Sequence, residues 1–65
     1  MRNNIKELRE QLDISQEQLA RLADISIDEL EDIENCRTIP SLVVANNIKR
    51  ALNEDFIANV FIFDE

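Results

Sequence analysis

Apolar side chains recur at helical spacing along most of the chain, with polar residues filling the positions between them. Ile5, Leu8 and Leu12 form one stripe and predict a first helix over residues 4–12. Leu19, Ala20 and either Leu22 or Ala23 predict a second over 16–23, and Leu30 and Ile33 a third over 27–35. Residues 36–40 read as loop, because Pro40 biases Ile39 away from helical angles. Ser41 is then the natural cap of a fourth helix that turns Leu42, Ala45, Ile48 and Leu52 inward and Asn46, Asn47, Lys49 and Arg50 outward. Beyond Leu52 the pattern is mixed. Asn53, Glu54 and Asp55 suit a helix start, and Phe56, Ile57, Val60 and Phe61 a short apolar fifth helix. The run Val60, Phe61, Ile62, Phe63 suits a strand equally well. Such a strand would pair with residues 1–4 or with its copy in a second chain, because an uncovered apolar edge invites aggregation.

The segment 13–30 contains one signal twice. Asp13-Ile14-Ser15-Gln16-Glu17-Gln18-Leu19 is echoed eleven residues later by Asp24-Ile25-Ser26-Ile27-Asp28-Glu29-Leu30. In each copy serine is placed as an N-cap, Gln18 or Glu29 stands three residues on to close a capping box, and Ile14 or Ile25 precedes the cap as a staple for Leu19 or Leu30. Two short helices this close in sequence meet at a steep angle. A helix-turn-helix over 15–35 is the first expectation, with DNA the first partner to consider.

Charge complicates that expectation. The 65 residues carry 14 acids against 7 bases, a formal −7, the reverse of the usual balance in a phosphate binder. Within 24–34 there are six carboxylates and no base. The same balance disfavours adhesion to a membrane surface, and no run of about 18 apolar residues is present to span one. One small domain occupies the length, and a chain this short buries only about 60% of the surface its unfolded form exposes, so a second subunit would add much. The lone Cys36 excludes an intramolecular disulfide and, with no signal-like apolar stretch at the amino end, points to a reducing cytoplasm.

Taken together, the residues resemble the lambda-repressor-like (Cro/cI, XRE-type) helix-turn-helix regulators. The resemblance spans 5–52. It rests on Ile5-x-x-Leu8-Arg9, Ser15-Gln16-x-x-Leu19-Ala20, Ile25-Ser26-x-x-x-Leu30 followed by Ile33-Glu34-Asn35, and Pro40-Ser41-Leu42-x-x-Ala45-x-x-Ile48 with Ala51-Leu52. Each piece is weak alone; their joint spacing is the signal. The resemblance implies an all-α class: a compact five-helix domain over 1–65, with short terminal β-strands as an option and a carboxy-terminal dimerisation segment at 53–65.

The resemblance also assigns roles. Arg9 and Glu34 match a partly buried ion pair that joins the first and third helices. Gln16 matches an amide placed on phosphate at a helix start, although a solvated first-turn residue would look the same. Arg37 and Thr38 match loop positions that grip backbone phosphate. Ile27, Asp28 and Asp32 match the positions that read base edges, and Ser26 and Asn35 close the candidate DNA-binding set at the two ends of the third helix. An isoleucine can touch a thymine methyl and an aspartate can accept from cytosine N4, both uncommon modes of readout. Asp28 complements the helix dipole, Glu29 serves the cap and Glu34 the ion pair, which leaves Glu31 and Asp32 without a structural role.

Two cations per subunit on phosphate would give a dimer a salt slope near about −4, shallow against a repressor with 6 to 10 such contacts. Family glycines are replaced by Asp24 and Cys36, and the chain has no glycine at all. If these positions keep positive φ, each costs on the order of 1 kcal/mol, and Cys36 reads as a strained packing residue. Histidine, a glycine-rich phosphate loop and metal-ligand spacing are all missing, which argues against an enzyme and against any metal or cofactor.

Two functional classes follow. The first is a sequence-specific DNA-binding transcriptional regulator acting as a two-fold homodimer, with the third helix of each subunit in successive major grooves about 34 Å apart. The second is a DNA-binding-deficient helix-turn-helix module that engages another regulator protein, as a DNA mimic or an antagonist. Phe56, Ile57, Val60, Phe61 and Phe63 supply the expected dimer interface in either case.

Overall fold

The structure, a computed structural model, describes residues 2–62. In chain order it holds strand β1 (Arg2–Asn3), helices α1 (Ile5–Leu12), α2 (Gln16–Leu22), α3 (Ile27–Glu34) and α4 (Leu42–Ala51), a 3₁₀ turn (Ile57–Asn59) and strand β2 (Phe61–Ile62). The core is aliphatic apart from Phe61: Ile5, Leu19, Ala20, Ala23, Leu30, Ile33, Ala45, Ile48, Leu52 and Val60 surround it. Three serines start helices. Ser15, Ser26 and Ser41 each accept, through Oγ, the backbone N–H three residues on, at 3.0, 3.0 and 3.2 Å. Each such cap satisfies an orphan donor and is worth about 1 kcal/mol. At Ser15 the box is closed by Gln18 Oε1 accepting the Ser15 N–H at 2.8 Å. At Ser26 only the forward bond forms, so Glu29 does not complete the expected box. Ile14 and Ile25 pack against the core that holds Leu19 and Leu30, as staples do.

The four α-helices also end alike. Asp13, Asp24, Cys36 and Asn53 lie at φ of 57°, 60°, 62° and 59°. At each, the next residue donates its N–H back across the turn: Ile14 to Arg9 O at 3.1 Å, Ile25 to Ala20 O at 3.0 Å, Arg37 to Asp32 O at 2.8 Å and Glu54 to Lys49 O at 3.1 Å. These are Schellman ends, built without the glycine that normally occupies the left-handed position. Asp and Asn tolerate that position better than other side chains, so three of the four are mild compromises and Cys36 is the costly one.

β1 and β2 pair antiparallel, Arg2 opposite Ile62 and Asn3 opposite Phe61. Of the two pairings expected for the tail, the one within the chain forms. Asn4 N–H donates to Val60 O at 2.7 Å, which fastens the start of α1 to the tail. Asn3 adds two ties: its Oδ1 accepts the Ile5 N–H at 3.2 Å, and its Nδ2 donates to Ile33 O, at the end of α3, at 3.0 Å.

Several expectations require correction. The fifth helix is only the 3₁₀ turn Ile57–Asn59, because the chain must leave it at Val60 to enter β2. Val60 and Phe61 are 0% and 1% exposed within a single chain, so they are core residues and cannot also face a partner. Phe63 lies outside the described residues. Leu42 is 76% exposed: it is the first residue of α4 and projects past the rim of the core, which α4 meets first through the half-buried Val44 and then through Ala45 and Ile48. Leu12, the last residue of α1, overhangs the core likewise. Cys36 is exposed and so is not a packing residue. Asn47 does not simply face water; its Nδ2 donates to Ala23 O at 3.4 Å, tying α4 to the end of α2.

Candidate nucleic-acid interface

α2 and α3 are joined by residues 23–26, with Asp24 in the left-handed conformation that reverses the chain. Leu30 and Ile33 turn α3 into the core that also holds Leu19 and Ala23 of the preceding segment. The opposite face follows from helical periodicity. Ile27, Asp28 and Glu31 are exposed, while Asp32 is half-buried. Ile27 therefore offers its apolar side chain to the outside at the first turn, beside the carboxylates of Asp28 and Glu31.

The platform beneath this helix is held by a charged fork. Arg9 donates from Nε to Glu34 Oε2 at 3.1 Å and from Nη2 to Glu34 Oε1 at 3.2 Å, and its Nη1 reaches Ile14 O at 3.3 Å. The side chains are 13% and 8% exposed. One guanidinium thus joins α1, the end of α3 and the turn entering α2, with both carboxylate oxygens satisfied. The ion pair expected between Arg9 and Glu34 is present, and neither residue is left for DNA.

Asp32 and Arg37 form a pair that sequence reasoning missed. Arg37 Nη1 donates to Asp32 Oδ1 at 3.5 Å, with the two side chains 68% and 48% exposed. They occupy the two positions of the α3 Schellman end where an apolar contact normally closes the motif. The backbone bond from Arg37 N–H to Asp32 O at 2.8 Å brings them together. A signal for the pair was available: once Cys36 takes the left-handed position, Asp32 and Arg37 must be neighbours. Asp32 therefore has a structural role, and the cation beside α3 is shared with a carboxylate.

The remaining candidate residues fall as follows. Gln16 is the first residue of α2 and half-buried. Ser26 spends its hydroxyl oxygen on the α3 cap. Asn35 is the exposed C-cap of α3, and Arg37 and Thr38 are exposed in the loop that follows. Gln16 lies at the start of α2, Ser26 and Ile27 at the start of α3, Asp28 and Asp32 within α3, and Asn35, Arg37 and Thr38 at and beyond its end.

A helix-turn-helix with this order of helices, caps and ion pair is matched by a helix-turn-helix family profile over residues 5–57. The chain belongs to the XRE-type helix-turn-helix family. Membership places it among non-enzymatic regulators. Two relatives are similar along its whole length. One, from Methanothermobacter thermautotrophicus, is 38% identical over all 65 residues of this chain and 94% of its own, and is described as an uncharacterized HTH-type transcriptional regulator. The other, from Archaeoglobus fulgidus, carries the same description and is 37% identical over all of this chain and 90% of its own. Among the described residues no helix is long and apolar enough to cross a membrane.

Proposed function

We propose that this helix-turn-helix protein is a sequence-specific DNA-binding transcriptional regulator that acts as a homodimer and lays α3 in the major groove. The observation that carries the reading is the outward face of α3. Ile27, Asp28 and Glu31 are exposed on a helix whose other side is fixed by Leu30, Ile33 and the Arg9 fork, and packing gives that face no task. Ile27 would meet a thymine methyl and Asp28 a cytosine N4 amino group. Gln16, Ser26, Asn35, Arg37 and Thr38 would position the helix on the backbone, with Arg37 first released from Asp32. Of the described tail residues expected at the dimer interface, Phe56, 68% exposed, remains for that role, while Ile57 is half-buried against the core of its own chain.

A second reading is favoured by one specific observation. Residues 24–34 contain no base, and Arg37 at the end of α3 is already paired with Asp32. A scaffold of this kind would reject DNA and present its acidic helix to the basic face of another regulator. Titration of a fluorescent duplex of random sequence at low salt separates the two. The first reading expects wild-type binding that weakens as salt is added. The second expects no binding by wild type and recovery in an Asp28→Gln, Asp32→Lys double variant.

A further inference from the structure

Of the four left-handed helix ends, that of α3 is the one whose turning residue is neither Asp nor Asn, so its Cβ makes it the costliest to hold. That end is also gripped by a side chain from a distant element. Asn3 Nδ2 donates to Ile33 O at 3.0 Å, the same carbonyl that accepts the Cys36 N–H at 3.1 Å as the turn closes. The next bond of the turn, Arg37 N–H to Asp32 O at 2.8 Å, sets where Arg37 leaves the helix. A looser tie of the same kind, Asn47 Nδ2 to Ala23 O at 3.4 Å, reaches the end of α2.

Asn3 is itself held firmly enough to act as a fixed point. Its Oδ1 accepts the Ile5 N–H at 3.2 Å, and its backbone lies in β1 opposite the buried Phe61. One of its two neighbours is an obligatory donor and the other an obligatory acceptor, so a carboxamide satisfies both. A carboxylate has no proton for Ile33 O, and a serine hydroxyl is too short to span the two.

We propose that Asn3 clamps the carboxy-terminal turn of α3 and is thereby a positioning residue for Arg37, the cation that the DNA-binding reading puts on phosphate. The inference rests on that reading and names a residue outside the helix-turn-helix that serves it. If the turn opens, Cys36 leaves the left-handed region, the Arg37 N–H bond is lost and the guanidinium moves with the loop. Because Cys36 makes the turn costly, the bond from Asn3 decides how fully it is formed. A contact that needs the closed turn weakens in proportion to the molecules in which it is open. The tail reaches the interface by the same path: β2 holds β1, and β1 holds α3 through Asn3.

The test compares wild type with Asn3→Ser, which keeps an acceptor for the Ile5 N–H and removes the donor to Ile33 O. Amide hydrogen exchange by NMR, without DNA, reads the turn itself. Exchange at Cys36 and Arg37 should quicken about two- to tenfold, the worth of one hydrogen bond, while Ile14, Ile25 and Glu54, the matching amides of the other three ends, exchange as in wild type. Unchanged exchange at Cys36 and Arg37, or equal acceleration at all four ends, would overturn the proposal, the latter by showing that Asn3 serves the fold as a whole. Titration of a fluorescent random-sequence duplex reads the consequence. Where wild type binds, Asn3→Ser should bind at least about twofold more weakly, with a salt slope shallower by up to about one per subunit, a change that lost stability alone does not produce. Adding Cys36→Gly, which relieves the turn, should restore both. An affinity and slope equal to wild type's would overturn the positioning role. A wild type that binds no duplex, with Cys36 and Arg37 selectively accelerated in Asn3→Ser, upholds the clamp on α3 and removes the DNA reading instead.

Discussion

Replacing Cys36 by glycine should make the protein more stable. Cys36 holds φ at 62°, where a side chain with a Cβ crowds the following carbonyl at a cost of about 1–2 kcal/mol that glycine does not incur. Glycine recovers some freedom in the unfolded chain, and that works against the gain by about 0.4–1 kcal/mol. The Cys36 side chain offers little to lose: it is exposed, and its contact with Asn3 Nδ2 is a 4.0 Å approach to sulfur. The net expectation is stabilisation by about 0.5–1 kcal/mol, which for a domain of this size raises Tm by roughly 2–8 °C. Thermal unfolding by circular dichroism at one fixed protein concentration reads it, since a dimer's Tm moves with concentration. Asp24→Gly should gain less, because aspartate tolerates the left-handed region better. A Cys36→Gly protein that melts below wild type would refute the reasoning about strain at this helix end.

Three further outcomes are expected. Glu34→Ala leaves the Arg9 guanidinium nearly buried and unpaired, so stability should fall by about 3–5 kcal/mol in urea titration; a loss below about 1 kcal/mol would mean the fork holds nothing. If Arg37 grips phosphate, Asp32→Asn should tighten binding to duplex DNA by up to about fivefold per subunit, the worth of an exposed ion pair, and the gain should vanish in an Arg37→Ala background. Ending the chain after Asn59 removes Val60 and Phe61 from the core and the partner strand of β1, so the product should be unfolded by circular dichroism. A folded monomer would show that the tail is not part of the core.

Much of the fold was legible because it is written in local chemistry. Ser15, Ser26 and Ser41 mark helix starts by hydrogen bonds to residues three positions away, and the apolar stripes through Leu19, Leu30 and Ile48 report burial by period alone. The Arg9–Glu34 fork joins residues 25 positions apart and came only from the resemblance to a family, since no local rule pairs them. The tail defied reading because Val60 and Phe61 suit a short helix and a strand equally. What decides is a distant partner, β1, together with the Asn4 bond to Val60 O. Leu42 shows the limit of periodicity. It continues the stripe of Ala45 and Ile48 one step too far, and only three-dimensional shape says where a core ends. At the candidate interface, the acidity of α3 was legible from composition, but the pairing of Asp32 with Arg37 was not. That contact depends on the left-handed turn at Cys36.

The most direct test of the account is anisotropy of a labelled random-sequence duplex titrated with the wild-type protein at about 20 mM salt and again at higher salt, with the Asp28→Gln, Asp32→Lys variant alongside. Saturable wild-type binding that falls with added salt, with a log–log slope no steeper than about −4, is the predicted result for a regulator that grips DNA through few cations. No binding by wild type at any concentration, with binding restored in the variant, would contradict it and identify α3 as a surface turned against DNA.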